Sequence, residues 1–129
     1  MSKQIIRTKD APSPVGPYSQ AIRVGDFVFV SGQGPIDPKT GKIVSEDFEQ
    51  QTIRTLENVK AILNSHGLEL KDVVKTTVYL RDIENFGKMN ALYSKYFGSD
   101  PPARTTIQAI PPGNIKIEID AIAYLGKTS

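Results

Sequence analysis

Apolar or half-apolar side chains recur at steps of three and four between Phe48 and Leu63, at Phe48, Thr52, Leu56, Val59 and Leu63. That period predicts a helix burying one face. Ser45 or Asp47 can cap its start, Glu49 lies in its first turn, and Gly67 is a natural stop. A second helix is predicted from about Ile83 to Phe97, with Phe86, Met89, Tyr93, Tyr96 and Phe97 on one side. Asp82 fits its N-cap and Gly98 its stop.

Elsewhere the pattern switches to the strand period. Ala21–Val24 and Phe27–Ser31 flank Gly25-Asp26, a short hairpin turn. Val73–Leu80 is rich in Val and Thr, as strands prefer, and Arg104–Ala109 is a further candidate. In Ile115–Leu125, Ile115, Ile117, Ile119, Ala121 and Ala123 point one way, while Lys116, Glu118 and Asp120 point the other. Ile5–Thr8 can add a short edge strand. The order of strands, helix, strand, helix, strands predicts an α+β fold, a mixed β-sheet with both helices packed on one face. No repeat or composition shift divides the chain, so one domain over 1–129 is expected.

Two helices leave the other sheet face bare. Its parity carries Lys116, Glu118 and Asp120, but also Ile122 and Tyr124. A face mixing charges with apolar side chains suits a subunit interface better than solvent, which predicts a homo-oligomer with polar pockets at its seams.

Composition narrows the chemistry. The 129 residues contain no cysteine, which removes thiolate nucleophiles, thiolate metal sites and disulfides. There is one histidine, His66, so a metal site built on several imidazoles is excluded. The formal charge of +2 comes from scattered basic residues, a weak signature for nucleic acid. No apolar run is long enough to span a membrane, and the N-terminal residues lack a signal-peptide core. The expected compartment is cytoplasmic.

Several residues invite a chemical reading. Arg104 follows Pro101-Pro102-Ala103 and stands at the start of a strand. A guanidinium held there can present its fork to a carboxylate or phosphate, or it is an ordinary surface arginine. Glu118 lies between Ile117 and Ile119, where a carboxylate is partly desolvated. It reads as a general base or water-positioning group, or as an ion-pair partner of Lys116 or an arginine. Tyr18, in the tight loop Gly16–Gln20, can wall a pocket with its ring and offer one hydroxyl. Ser31 and Gly32 close a strand where backbone groups can approach a small ligand. The glycines there do not form a phosphate loop, because no Gly-Lys-Ser/Thr follows. Asn90 is a polar-face residue of the second helix or a hydrogen bonder at a seam. His66, at a helix end, suits the terminal carbonyls.

Seven segments occur in a telling order: Gly16–Gln20, Val30–Gln33, Asn58–Ile62, Val74–Val78, Met89–Tyr93, Pro102–Arg104 and Ile117–Ala123. Together they closely resemble the RidA (YjgF/YER057c/UK114) family of reactive-intermediate imine deaminases, over about Thr8 to Tyr124. The resemblance implies a chorismate-mutase-like trimer with a central β-barrel, helices outside, sites at subunit interfaces and no cofactor. The implied substrate is a small 2-imino acid released by pyridoxal-phosphate enzymes and hydrolysed to a 2-oxo acid and ammonia. Position by position, Arg104 resembles the carboxylate clamp and Glu118 the holder of the attacking water. Tyr18, Ser31, Gly32 and Asn90 resemble pocket residues, and so does Thr106, which stands where many members have cysteine. The loop Pro111-Pro112-Gly113-Asn114 departs from the usual leucine-proline form, which bears on substrate preference. Two rival functions are an RNA-directed translation inhibitor or endoribonuclease, and a non-catalytic ligand-binding or chaperone-like trimer. The scattered charge and single imidazole disfavour nucleic acid.

Overall fold

The computed structural model describes residues 2–126. Met1 and residues 127–129 of the expected domain lie outside the described residues. In chain order the elements are β1 (Gln4–Ile6), β2 (Ala21–Val24), β3 (Phe27–Gln33), α1 (Phe48–Ser65), β4 (Val73–Leu80), α2 (Phe86–Phe97), β5 (Ala103–Gln108) and β6 (Ile117–Tyr124). The six strands form one mixed sheet in the order β1-β2-β3-β6-β4-β5. Only β4 and β5 run parallel, because α2 carries the chain back between them; the other pairs are antiparallel.

The hydrophobic pattern explains the layers. Val28 and Val30 of β3, Thr76, Val78 and Leu80 of β4, and Ile117, Ile119, Ala121 and Ala123 of β6 are all buried. They meet Leu56, Val59, Ile62 and Leu63 of α1 and Met89, Tyr93 and Phe97 of α2. Burying one such aliphatic side chain stabilises the fold by roughly 1.5–3 kcal/mol, so this single layer fixes the register of the strands.

The helix ends follow their caps. Asp47 caps α1, accepting from Gln50 N at 3.0 Å, and Ser45 Oγ accepts from Asp47 N at 3.0 Å. Gly67 takes the left-handed conformation beyond it, with φ of 78°. α1 runs two residues past the expected end at Leu63. The second helix begins differently from expectation. Asp82 caps a 3₁₀ turn over Ile83–Asn85 by accepting from Glu84 N, and α2 proper starts at Phe86. Phe86 is exposed rather than core-facing, and Leu92 is buried in its stead.

The opposite face of the sheet has no helix. Ile5, Phe27, Phe29, Ile107 and Tyr124 are exposed there, beside Tyr79, Glu118 and Asp120. Among the described residues, no helix is long and apolar enough to cross a membrane.

Candidate functional site

The bare face ends in a cleft. β3 delivers Ser31 and Gly32 to its rim, and the loop before β2 is tied to the same strand end. Ser31 N donates to Gln20 O at 3.0 Å, and Ser31 Oγ donates to Ser19 O at 2.6 Å. The Ser31 hydroxyl is thus spent on the loop. Tyr18 folds back over that loop: its amide donates to Gly16 O at 2.8 Å and its hydroxyl accepts from Val15 N at 3.2 Å. Its ring stays half exposed. Tyr18, Gly32, Gln33, Pro112, Ile115 and Glu118 line a cavity of about 720 Å³.

Glu118 projects from β6 across Gly32, with Tyr79 as its neighbour on β4. Burial raises its pKa, and the charge of Asp120 on the same face adds to the rise. Asp120 itself accepts from Tyr79 Oη at 2.9 Å. The expected alternative of an ion pair with Lys116 is not formed. Lys116 Nζ donates to the Glu46 carbonyl, and its amide donates to Gln51 Oε1 at 2.9 Å. Among the described residues Glu118 is therefore a half-buried carboxylate with no cation beside it in the single chain.

Arg104 lies elsewhere. It pairs in register with Thr76, whose side chain is buried under the helices, so Arg104 also faces the helix layer. Its guanidinium carbon is 4.8 Å from the centre of the Tyr93 ring and 5.5 Å from that of Phe86. Nη1 donates to Met89 Sδ at 3.9 Å. Thr106, two residues on, faces the same layer, and its Oγ1 is buried with no hydrogen-bond partner. Asn90 follows Met89 on α2, and its Oδ1 is likewise buried and unpartnered.

The structure thus divides the predicted residues into two sets. Tyr18, Gly32 and Glu118 line the open cleft, with Ser31 next to Gly32 at its rim. Arg104 and Thr106 face the helix side of β5, an edge strand, and Asn90 stands on α2. Within one chain the guanidinium and the carboxylate are on opposite faces of the sheet. Among the described residues, no cluster of three or more His, Cys, Asp or Glu side chains could hold a metal ion.

Two residues given no role in the sequence reading hold the cleft in place. Gln20 accepts from Thr8 N at 2.7 Å, and its amide nitrogen donates to the carbonyls of Thr8, Ala11 and Pro12. Asn58 of α1 donates to Gly34 O and Ile36 O, both at 2.9 Å, anchoring the chain that leaves β3. The available signal was an amide side chain, Asn58, on the apolar stripe of a helix between Leu56 and Val59.

Residues 8–125 match the family model described as Endoribonuclease L-PSP. A RutC family protein of Pyrococcus abyssi is 55% identical over 125 residues, which cover 96% of this chain and 98% of that one. The 2-iminobutanoate/2-iminopropanoate deaminase of Salmonella typhimurium is 46% identical, over 95% of this chain and 98% of its own. The crystal structure of E. coli TdcF with bound serine is 39% identical and superposes with a TM-score of 0.89, covering 94% of this chain and 98% of that one.

Proposed function

The chain belongs to the RidA family, the group matched by the Endoribonuclease L-PSP description, and from that premise we propose that it hydrolyses small 2-imino acids to 2-oxo acids and ammonia. The observation that carries this reading is the pair of incomplete half-sites. Among the described residues Arg104 is a guanidinium with no carboxylate beside it, and Glu118 is a carboxylate with no cation beside it. Each has what the other lacks.

A homotrimer joins them. A cyclic, head-to-tail contact repeats one interface three times and sets one surface of each subunit against a different surface of the next. Arg104 stands on the edge strand β5, so a neighbouring subunit packed along that edge can bring its Glu118 to it across the seam. The exposed apolar side chains of the bare face, Phe27, Phe29 and Tyr124 among them, supply the buried area such an assembly needs. The sheets would then line a central barrel.

The chemistry asks for positioning and proton movement. Arg104 binds the substrate carboxylate through two parallel hydrogen bonds and fixes the plane of the imine. Glu118 accepts a hydrogen bond from water and directs its oxygen to the C=N carbon. As the C–O bond forms, a water O–H bond breaks and its proton passes to Glu118, while the carbon–nitrogen π pair moves to nitrogen, which takes that proton back from Glu118. The hydroxyl proton of the tetrahedral carbinolamine then passes by way of Glu118 to the amino nitrogen, the C–N bond breaks, and ammonia leaves as the C=O bond forms. A carboxylate base in this position is worth roughly 10²–10⁴-fold. Tyr18 and the Ser31-Gly32 backbone wall the pocket, and Asn90 and Thr106, whose side-chain oxygens are buried and unpartnered in the single chain, would meet substrate only where assembly or binding uncovers them. The residues use no cofactor on this reading.

The test is a coupled assay. A serine dehydratase generates 2-iminopropanoate, and its loss is followed with and without the protein. Accelerated loss with matching ammonia and pyruvate is expected. A rate equal to that of buffer overturns the reading, and RNA cleavage by the same preparation would favour the rival one.

A further inference from the structure

Arg104 would be expected to need an anchor. A half-buried arginine usually spends its donors on a carboxylate, and the one side-chain ion pair among the described residues is Lys71 with Glu69, at 3.3 Å. The guanidinium is held by aromatic rings instead.

We propose that Tyr93 is a positioning residue for Arg104, its ring holding the guanidinium ready for a carboxylate while Thr76 fixes the ring. This rests on the imine-hydrolase reading for the identity of the carboxylate. The arrangement is closed. Thr76 is the register partner of Arg104 on β4, so it sets where the arginine leaves the sheet. The same Thr76 shares a 2.6 Å hydrogen bond between its Oγ1 and Tyr93 Oη, and both residues are buried. Phe97 packs against Tyr93, with ring centres 4.4 Å apart. The ring therefore has one orientation, and the guanidinium lies 4.8 Å from its centre. Phe86 adds a second, exposed ring at 5.5 Å.

An aromatic cradle does what a carboxylate cannot. The negative face of a ring attracts the cation and restricts its rotamers. It leaves the N–H fork largely unspent, so an arriving carboxylate displaces no ion-pair partner. Ordering the arginine beforehand removes part of the entropy lost on binding.

The experiment measures steady-state kinetics of imine hydrolysis together with the Arg104 Nε–H signal in ¹⁵N spectra. Tyr93→Leu removes the ring and should raise KM about 3–30-fold, the span of a partly to fully desolvated cation–π contact. The value of kcat should stay within about threefold, because the reacting atoms are untouched. Tyr93→Phe keeps the ring and drops the tether, so its effect should be smaller. Phe86→Leu removes the exposed ring without threatening the core and should raise KM about 2–5-fold. In each leucine variant the Arg104 signal should lose the share of its ring-current shift that the removed ring supplies. Unchanged KM, a loss confined to kcat, or an unmoved Arg104 signal overturns the proposal. If Tyr93→Leu does not fold, Phe86→Leu decides alone. Wild-type protein that hydrolyses no imine defeats the functional reading instead, and the spectra of the same variants still test the cradle.

Discussion

The carboxyl group of Glu118 lies directly over Gly32. A Cβ built on residue 32 would come within 2.8 Å of the Glu118 carboxyl carbon, and nearer still to one of its oxygens. The backbone at Gly32 does not need glycine for its own sake, since its φ is not among the positive ones. Glycine is required there by the side chain opposite. Gly32→Val should therefore turn Glu118 out of the cleft while leaving the core intact. Imine hydrolysis should fall about 10²-fold or more, the lower bound for a displaced general base, with little change in thermal midpoint. Activity near that of wild type would show that the carboxylate can work from elsewhere or does not work at all.

The same carboxylate sets a pH dependence. Burial first, and the charge of Asp120 second, raise the pKa of Glu118 above its ordinary value. The ionised form is the base, so activity is present above the raised pKa and is lost as pH falls through it. The acid limb of kcat/KM should thus report this carboxyl group and lie higher than it would without Asp120. Asp120→Asn removes the repelling charge but keeps an acceptor for the Tyr79 hydroxyl, so the limb should move toward lower pH. Glu118→Gln should abolish the limb along with most of the rate. A limb that ignores Asp120→Asn would assign the titration to another group.

Much of this was legible in the chain. The strict alternation of Ile117, Ile119, Ala121 and Ala123 against Glu118 and Asp120 identifies both the central strand and its bare face, because a period of two admits one reading. The stripe Phe48, Thr52, Leu56, Val59 and Leu63 does the same for α1, every member of which is buried. The side of the sheet taken by Arg104 was not legible. It depends on the parallel register with β4, which pairs Arg104 with Thr76 rather than Thr77, and no local pattern fixes that register. The 3₁₀ start of the second helix was hidden as well, since Asp82 reads as a cap for either helix type.

Asn58 shows how a polar residue can hold a site together from within the core. Its side-chain nitrogen satisfies the carbonyls of Gly34 and Ile36, and its oxygen accepts from Arg54 Nε at 3.0 Å. Asn58→Ala leaves two part-buried carbonyls without their side-chain donor. Unfolding in urea should show a loss of about 1–3 kcal/mol, the cost of unsatisfied buried polar groups. Asn58→Asp should lose as much or more, because an ionised carboxylate cannot donate to either carbonyl. A loss below about 0.5 kcal/mol for Asn58→Ala would mean that the chain beyond β3 carries itself.

Because Arg104 and Glu118 face opposite sides of one chain, the site proposed above draws them from two subunits. That has a consequence no single variant can test. Arg104→Ala should lose substrate binding, and Arg104→Lys should recover little, since an ammonium lacks the planar fork. Glu118→Gln should lose the base. Each homotrimer is then inactive, but when the two are unfolded together and reassembled, some seams pair the intact arginine of one subunit with the intact glutamate of the next. For random assembly in a closed ring, about a quarter of the seams are whole. Activity should return to about that fraction of the wild-type value, while each variant reassembled alone stays inactive. Native mass spectrometry of the same mixture should show mixed trimers. If mixed trimers form and no activity returns, the two residues do not meet across a seam.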